Sequence, residues 1–175
     1  KAVDGGGALI NQAIHTIDLL QWLMGGVRRV CGLVRTATHA IQSEDLGVAV
    51  VEFQNGAVGV IEGTTAVQPG FKERLEIHGQ KGSLTIEGGH VTSWKVEGCP
   101  EADYVDSQPA SFGGTASPVI SHVNHKAQLE DILAAIQAGR PSPLSGEEGL
   151  KALKIVLGIY QSSAAGTWVE VAGGA

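Results

Sequence analysis

The stretch LGVAVVEFQNGAVGVIEGTT, residues 46 to 65, decides the fold. Two Val- and Ile-rich runs, Leu46 to Gln54 and Ala57 to Ala66, meet at Asn55-Gly56, a pair suited to a two-residue type I′ hairpin turn. Runs this short and this β-branched predict antiparallel strands rather than helices. Arg28 to Thr38 precedes them as a further strand, and Phe71 to His78, Ser83 to Glu87 and His90 to Glu97 follow, with Gly79, Gly82 and Gly88-Gly89 as turns. In FKERLEIHG, Phe71, Glu73, Leu75 and Ile77 alternate with Lys72, Arg74, Glu76 and His78, the pattern of a sheet with one buried face.

Helical periods flank this meander. Between Ala8 and Met24 the apolar residues Ile10, Ala13, Ile14, Ile17, Leu20 and Met24 recur at intervals of three and four, and Gly25-Gly26 ends the run. His122 to Ala138 forms a second helix that stops at Gly139, and Gly146 to Ala165 a third, opened by a Ser145 to Glu148 capping box. Residues 98 to 120 show no period and predict a long loop, while TWVEV at 167 to 171 offers a last short strand. The expected class is α+β: an open, mainly antiparallel sheet of about six strands with helices packed on one face. Residues 1–175 read as a single domain, and the start at Lys1, without Met and a few residues before a glycine loop, reads as a piece cut from a longer polypeptide.

Composition narrows the function. A formal net charge of -6 and a pI near 5.4, with only small and scattered basic pairs, argue against nucleic acid or a membrane surface as partner. No apolar run approaches the roughly 20 residues of a membrane span, and a cytoplasmic location is expected. Cys31 and Cys99 lack a CxxC or Cys/His context and read as reduced thiols.

Chemistry concentrates on the first helix. On a 3.6-residue wheel Asn11, His15, Asp18 and Trp22 share one stripe. His15 can take a proton at neutral pH and Asn11 can hold a hydroxyl or carbonyl oxygen, although a lone helical histidine is more often a structural one. Asp18 can orient the His15 ring or simply face water. Gly5, Gly6 and Gly7 form either a plain turn or an opening for a ligand at the positive end of the helix. They are no dinucleotide fingerprint, because Ile10 stands where GxGxxG needs its third glycine. His122 and His125 lack a third ligand, so no metal site is expected. His39, His78 and His90 read as solvent-facing, and Trp22, Trp94 and Trp168 as core or rim aromatics.

GGGALINQAIHTIDLLQWLMGG, residues 5 to 26, resembles the GGGxLxDxGxHxxD segment of the C-terminal domain of the Gfo/Idh/MocA oxidoreductases. SEDLGVAVVEFQNGAVGVIEGTT, LEIHGQKGSLTIEG and HKAQLEDILAAIQAGRPSPLSGEEGLKALKIVLGIYQSSAAG follow in that family's order and spacing, over nearly the whole chain. The resemblance implies a two-domain parent enzyme whose N-terminal Rossmann domain, absent from this chain, binds NAD or NADP. The isolated chain is then expected to be inactive. His15 aligns with the catalytic histidine, as proton acceptor, and Asn11 takes the place of the usual aspartate, while Ala13 replaces a glycine. A lysine from the first domain completes the site. Gly5, Gly6 and Gly7 are expected on the cofactor side, and Asn11, His15, Asp18, His125 and Gln128 toward the substrate. Asn11 cannot titrate, but can still hydrogen-bond a hydroxyl. The first helix is similar to that of sugar-nucleotide dehydrogenases, which implies a sugar, sugar nucleotide or polyol as substrate. The family further implies a homodimer or homotetramer formed through the sheet. The competing expectation is a non-catalytic β-sheet module that self-associates through its open face.

Overall fold

The computed structural model describes residues 6–105, 123–142 and 144–171. Gly5, His122 and most of the expected 98–120 loop lie outside them. The chain divides into two compact units, one formed by Lys1–Val67 with Ala135–Ala175 and the other by Gln68–Ala134. The α+β class holds, with the strands distributed over two antiparallel sheets.

The first unit opens with a π-helical turn, Leu9–Ala13, that runs into α1 (Ile14–Met24). Three strands follow, β1 (Val27–Arg35), β2 (Leu46–Phe53) and β3 (Val58–Thr64). After α3 (Gly146–Ala165) the short β7 (Val169–Glu170) completes a sheet of order β3-β2-β1-β7. Leu9, Ile17, Ala152, Ile155, Val156 and Ile159 bury one face of this sheet through Val30, Ala49, Val51, Phe53 and Ile61. Among the described residues of this unit the opposite face is exposed. There Cys31, Val50 and Val60 lie in one cross-strand row and Leu33, Val48 and Glu62 in the next.

The Asn55-Gly56 hairpin forms, but not with the expected type I′ turn. Among the described residues no non-glycine residue has a positive φ, whereas Gly56 has φ 85°. Phe53 N donates to Ala57 O, Gly56 N to Phe53 O, and Ala57 N to Asn55 Oδ1. This is a three-residue loop, a turn closed by a left-handed glycine, and the Asn55 side chain makes it favourable by accepting an amide proton.

The strand expected over Arg28 to Thr38 ends at Arg35. The fully buried Asp45 carboxylate accepts from the amides of Ala37, Thr38 and His39 at 2.6, 2.8 and 2.8 Å and gathers them into a loop instead of a ladder. At the other side of β1, β7 pairs only with Arg29 and Val30. Beyond it Ser162 Oγ accepts from Gly32 N and Ser163 Oγ from Val34 N, so α3 satisfies the amides that the short strand leaves. The Ser145 cap holds, its hydroxyl accepting from Glu148 N, while the Glu148 carboxylate pairs with Lys151.

In the second unit β4 (Arg74–Gly79), β5 (Gly82–Glu87) and β6 (His90–Val96) form a meander. β4 begins three residues later than the alternation from Phe71 predicts. Its partner β5 ends at Glu87, which pairs with Arg74, and the pairing closes with Gly88 N donating to Glu73 O at 3.0 Å, while Phe71 is 90% exposed. Trp94 stacks on Tyr104 with centroids 4.2 Å apart. α2 is Val123–Gln137.

Candidate functional site

The site grows from the start of the first helix. Leu9 is fully buried in a slot that two glycines make: a Cβ on Gly47 would meet Leu9 Cδ1 at 2.6 Å, and one on Gly63 would meet Leu9 Cδ2 at 2.8 Å and Ala13 Cβ at 3.0 Å. Leu9 and Ala13 therefore both press on the sheet. Upstream, Glu44 holds the same turn by its amides: Gly7 N donates to Glu44 Oε2 at 3.0 Å, Leu9 N to Oε1 at 2.9 Å, and Ala8 N to the Glu44 carbonyl at 3.0 Å. Pinned at both ends, residues Leu9–Ala13 take the wider π turn where the apolar period predicts a plain α-helix from Ala8.

The widened turn alters the expected stripe. Asn11 lies inside it, so the 3.6-residue spacing holds only from His15 onward. Asn11, His15 and Asp18 are all exposed. Asn11 Nδ2 donates to Gly6 O at 2.8 Å and Asn11 N to Gly7 O at 3.0 Å, which leaves Asn11 Oδ1 as an outward acceptor. Asp18 Oδ1 accepts from Gln21 Nε2 at 3.2 Å. Trp22, at 72% exposure, belongs to the rim and not the core. His125 and Gln128 are exposed one turn apart on α2, within the second unit.

Two acidic residues and a tyrosine, none of them singled out by sequence reading, build the support. Glu44 is buried, and Tyr160 of α3 donates its hydroxyl to Glu44 Oε1 at 2.8 Å. Burial and the facing carboxylate push the Tyr160 hydroxyl well above the usual tyrosine range. The amides of Ala37 and His39 hold Asp45 far below the usual carboxylate range, and the His39 ring sits 3.1 Å from its Oδ2. The readable signal was the adjacent pair Glu44-Asp45 directly before an apolar strand, since acids there are either solvated or caps for nearby amides. At the other end of the sheet Glu52 bridges Arg28 and Arg29, whose hydrogen bonds and charge lower its carboxyl, and Arg29 lies over the Trp168 ring at 4.7 Å.

Among the described residues no group of three His, Cys, Asp or Glu side chains is placed to hold a metal ion, and no helix is long and apolar enough to cross a membrane.

Residues 1–171 match the oxidoreductase family C-terminal alpha/beta domain, the Gfo/Idh/MocA C-terminal domain. The chain belongs to this family. Among solved structures it is similar to the WlbA dehydrogenase from Bordetella pertussis in complex with NADH and UDP-GlcNAcA. The TM-score is 0.76 at 30% identity, over 94% of this chain and 46% of that one. Among curated proteins it is 26% identical over 169 residues to D-apiose dehydrogenase of Rhizobium rhizogenes, covering 90% of this chain and 47% of that protein. It is 25% identical over 159 residues to myo-inositol 2-dehydrogenase of Thermotoga maritima, covering 85% and 44%. The chain thus spans about half the length of the curated relatives it matches.

Proposed function

We propose that this chain is the substrate-binding and oligomerisation domain of an NAD- or NADP-dependent dehydrogenase acting on a sugar, sugar nucleotide or polyol. The observation that carries the reading is the Asn11/His15 edge, exposed on an anchored turn in a domain whose family consists of oxidoreductases. The relatives named for apiose and inositol, and a neighbour holding NADH with a nucleotide sugar, support the substrate class.

The amides that begin the helix are engaged by Glu44, so the phosphates of a dinucleotide would be held elsewhere, on a Rossmann domain of the parent polypeptide. Gly5, Gly6 and Gly7 would lie on the cofactor side without cradling its phosphates. When bound, NAD supplies the hydride acceptor. His15 would take the proton of the substrate hydroxyl while its carbon gives up the hydride, and Asn11 Oδ1 would accept a hydrogen bond from a neighbouring hydroxyl. Asp18 would contact a more distant hydroxyl, and a lysine of the other domain would complete the site.

The bare sheet face supports a homodimer or homotetramer. Leu33, Val48, Val50, Val58 and Val60 are exposed on adjacent strands, an apolar area of the kind that marks an interface. The same face fits a non-catalytic self-association module, and activity separates the two. The full-length protein carrying this chain should reduce NAD or NADP with at least one pyranose, nucleotide sugar or polyol of a panel, whereas the 175-residue chain should neither do so nor bind either dinucleotide by calorimetry. Micromolar binding to the chain alone contradicts the domain assignment, and a full-length protein silent on the whole panel contradicts the enzyme.

A further inference from the structure

We propose that Glu44 and Tyr160 are positioning residues for the turn that carries Asn11 and leads into His15: a buried clasp that touches no substrate. This rests on the reading of that turn as the reacting edge of a dehydrogenase domain.

The clasp joins three parts of the first unit. Glu44 comes from the loop before β2, Tyr160 from α3, and the amides they secure from the start of the first helix. Three donors, Gly7 N, Leu9 N and Tyr160 Oη, converge on one buried carboxylate, and Ala8 N binds the carbonyl of the same residue. A buried carboxylate is tolerated only when its oxygens are supplied with donors, so this arrangement has little freedom to shift. Contact is as close as a side-chain-free residue permits. A Cβ on Gly7 would fall 1.7 Å from the Glu44 carbonyl oxygen, which fixes Gly7 as glycine for a reason unconnected with any ligand.

What the clasp holds is the anchor of Asn11. Asn11 binds Gly6 O through its side chain and Gly7 O through its amide, so any movement of Gly6-Gly7 carries the Asn11 carboxamide with it. α1 itself, from Ile14, is held independently by Ile17 in the core. Loosening the clasp therefore moves the Asn11 carboxamide relative to His15 while leaving α1 and the fold in place. The raised Tyr160 hydroxyl fits this role, because it stays a donor to Glu44 throughout the working pH range.

The test uses Glu44→Gln, which sets a carboxamide NH₂ against backbone donors, and Tyr160→Phe, which removes one oxygen. Amide hydrogen exchange is read at Gly7, Leu9 and Asn11, with Val30 and Val51 of the sheet as internal controls, and kcat and KM are read in the full-length protein. In both variants the three turn amides should exchange at least about tenfold faster at unchanged sheet protection. kcat should fall about tenfold or more. Exchange that stays as in the wild type, or that rises equally at Val30 and Val51, overturns the clasp, as does an unchanged kcat in an active enzyme. Should Glu44→Gln fail to fold, Tyr160→Phe decides alone. A wild-type protein that oxidises no sugar or polyol overturns the dehydrogenase reading instead, and the exchange data still decide whether Glu44 and Tyr160 hold the turn.

Discussion

Asn11 shows how one atom's partner decides a residue's chemistry. One of its Nδ2 hydrogens goes to Gly6 O, which fixes the carboxamide and leaves Oδ1 as an acceptor suited to a substrate hydroxyl. An aspartate at this position would set a carboxylate oxygen against the Gly6 carbonyl. We therefore expect Asn11→Asp in the full-length protein to raise substrate KM roughly two- to tenfold, the worth of one such hydrogen bond. An equal or lower KM would show that the carboxamide is not anchored. Tyr160 gives a second residue-scale expectation. Its folded pKa lies above the unfolded value, so the neutral hydroxyl contributes stability that is present below the unfolded pKa near 10 and is lost as pH rises through the folded value. Melting temperatures taken at increasing pH above 10 should fall more steeply in the wild type than in Tyr160→Phe. Parallel curves would remove the Tyr160 contribution.

Among the elements, the π turn and the loop before β2 differ most from their sequence expectation, and for the same physical reason. The strands β2 and β3 were legible because Val, Ile and an Asn-Gly pair encode them locally. The widened turn was not, since it arises from Glu44, some thirty-five residues away, and from the room left by Gly47 and Gly63. The type I′ assignment erred for a local reason, as Asn55 binds Ala57 N and keeps a negative φ. Of the candidate site, Asn11 and His15 are marked by their motif, whereas Glu44 and Asp45 show only as an adjacent acidic pair that is either solvated or capping, and Tyr160 carries no signal, because a surface acid and a buried one look alike in sequence. The packing claim can be tested by Gly47→Ala, which should destabilise by about 1–3 kcal/mol in urea denaturation through overpacking against Leu9. Leu9→Ala, on its own destabilising by about 2–5 kcal/mol, should make the double variant less costly than the sum. Strict additivity would place the two side chains out of contact. For Asp45, whose folded pKa is depressed, the stability contribution is present above the unfolded value near 3.9 and is lost as pH falls through the folded one. Below about pH 5 the melting temperature of Asp45→Asn should therefore change less with acid than that of the wild type.

For the whole molecule, α3 and the turn that carries Asn11 pack on one face of the first unit's sheet, and among the described residues the other face is left apolar and exposed across three strands. A second copy of the chain would cover it by two-fold pairing. Sedimentation at micromolar concentration should then show a species larger than 18.1 kDa that Val50→Asp with Val60→Lys reduces to the monomer. A monomer at every concentration would leave the face without that role. The central claim, however, is that this domain supplies the proton acceptor of a dehydrogenase, and His15→Ala tests it most directly. Turnover of the full-length protein on its best sugar or polyol should fall roughly 10²- to 10⁴-fold with the melting temperature unchanged. Undiminished turnover in that variant would contradict the account and make His15 an ordinary surface residue.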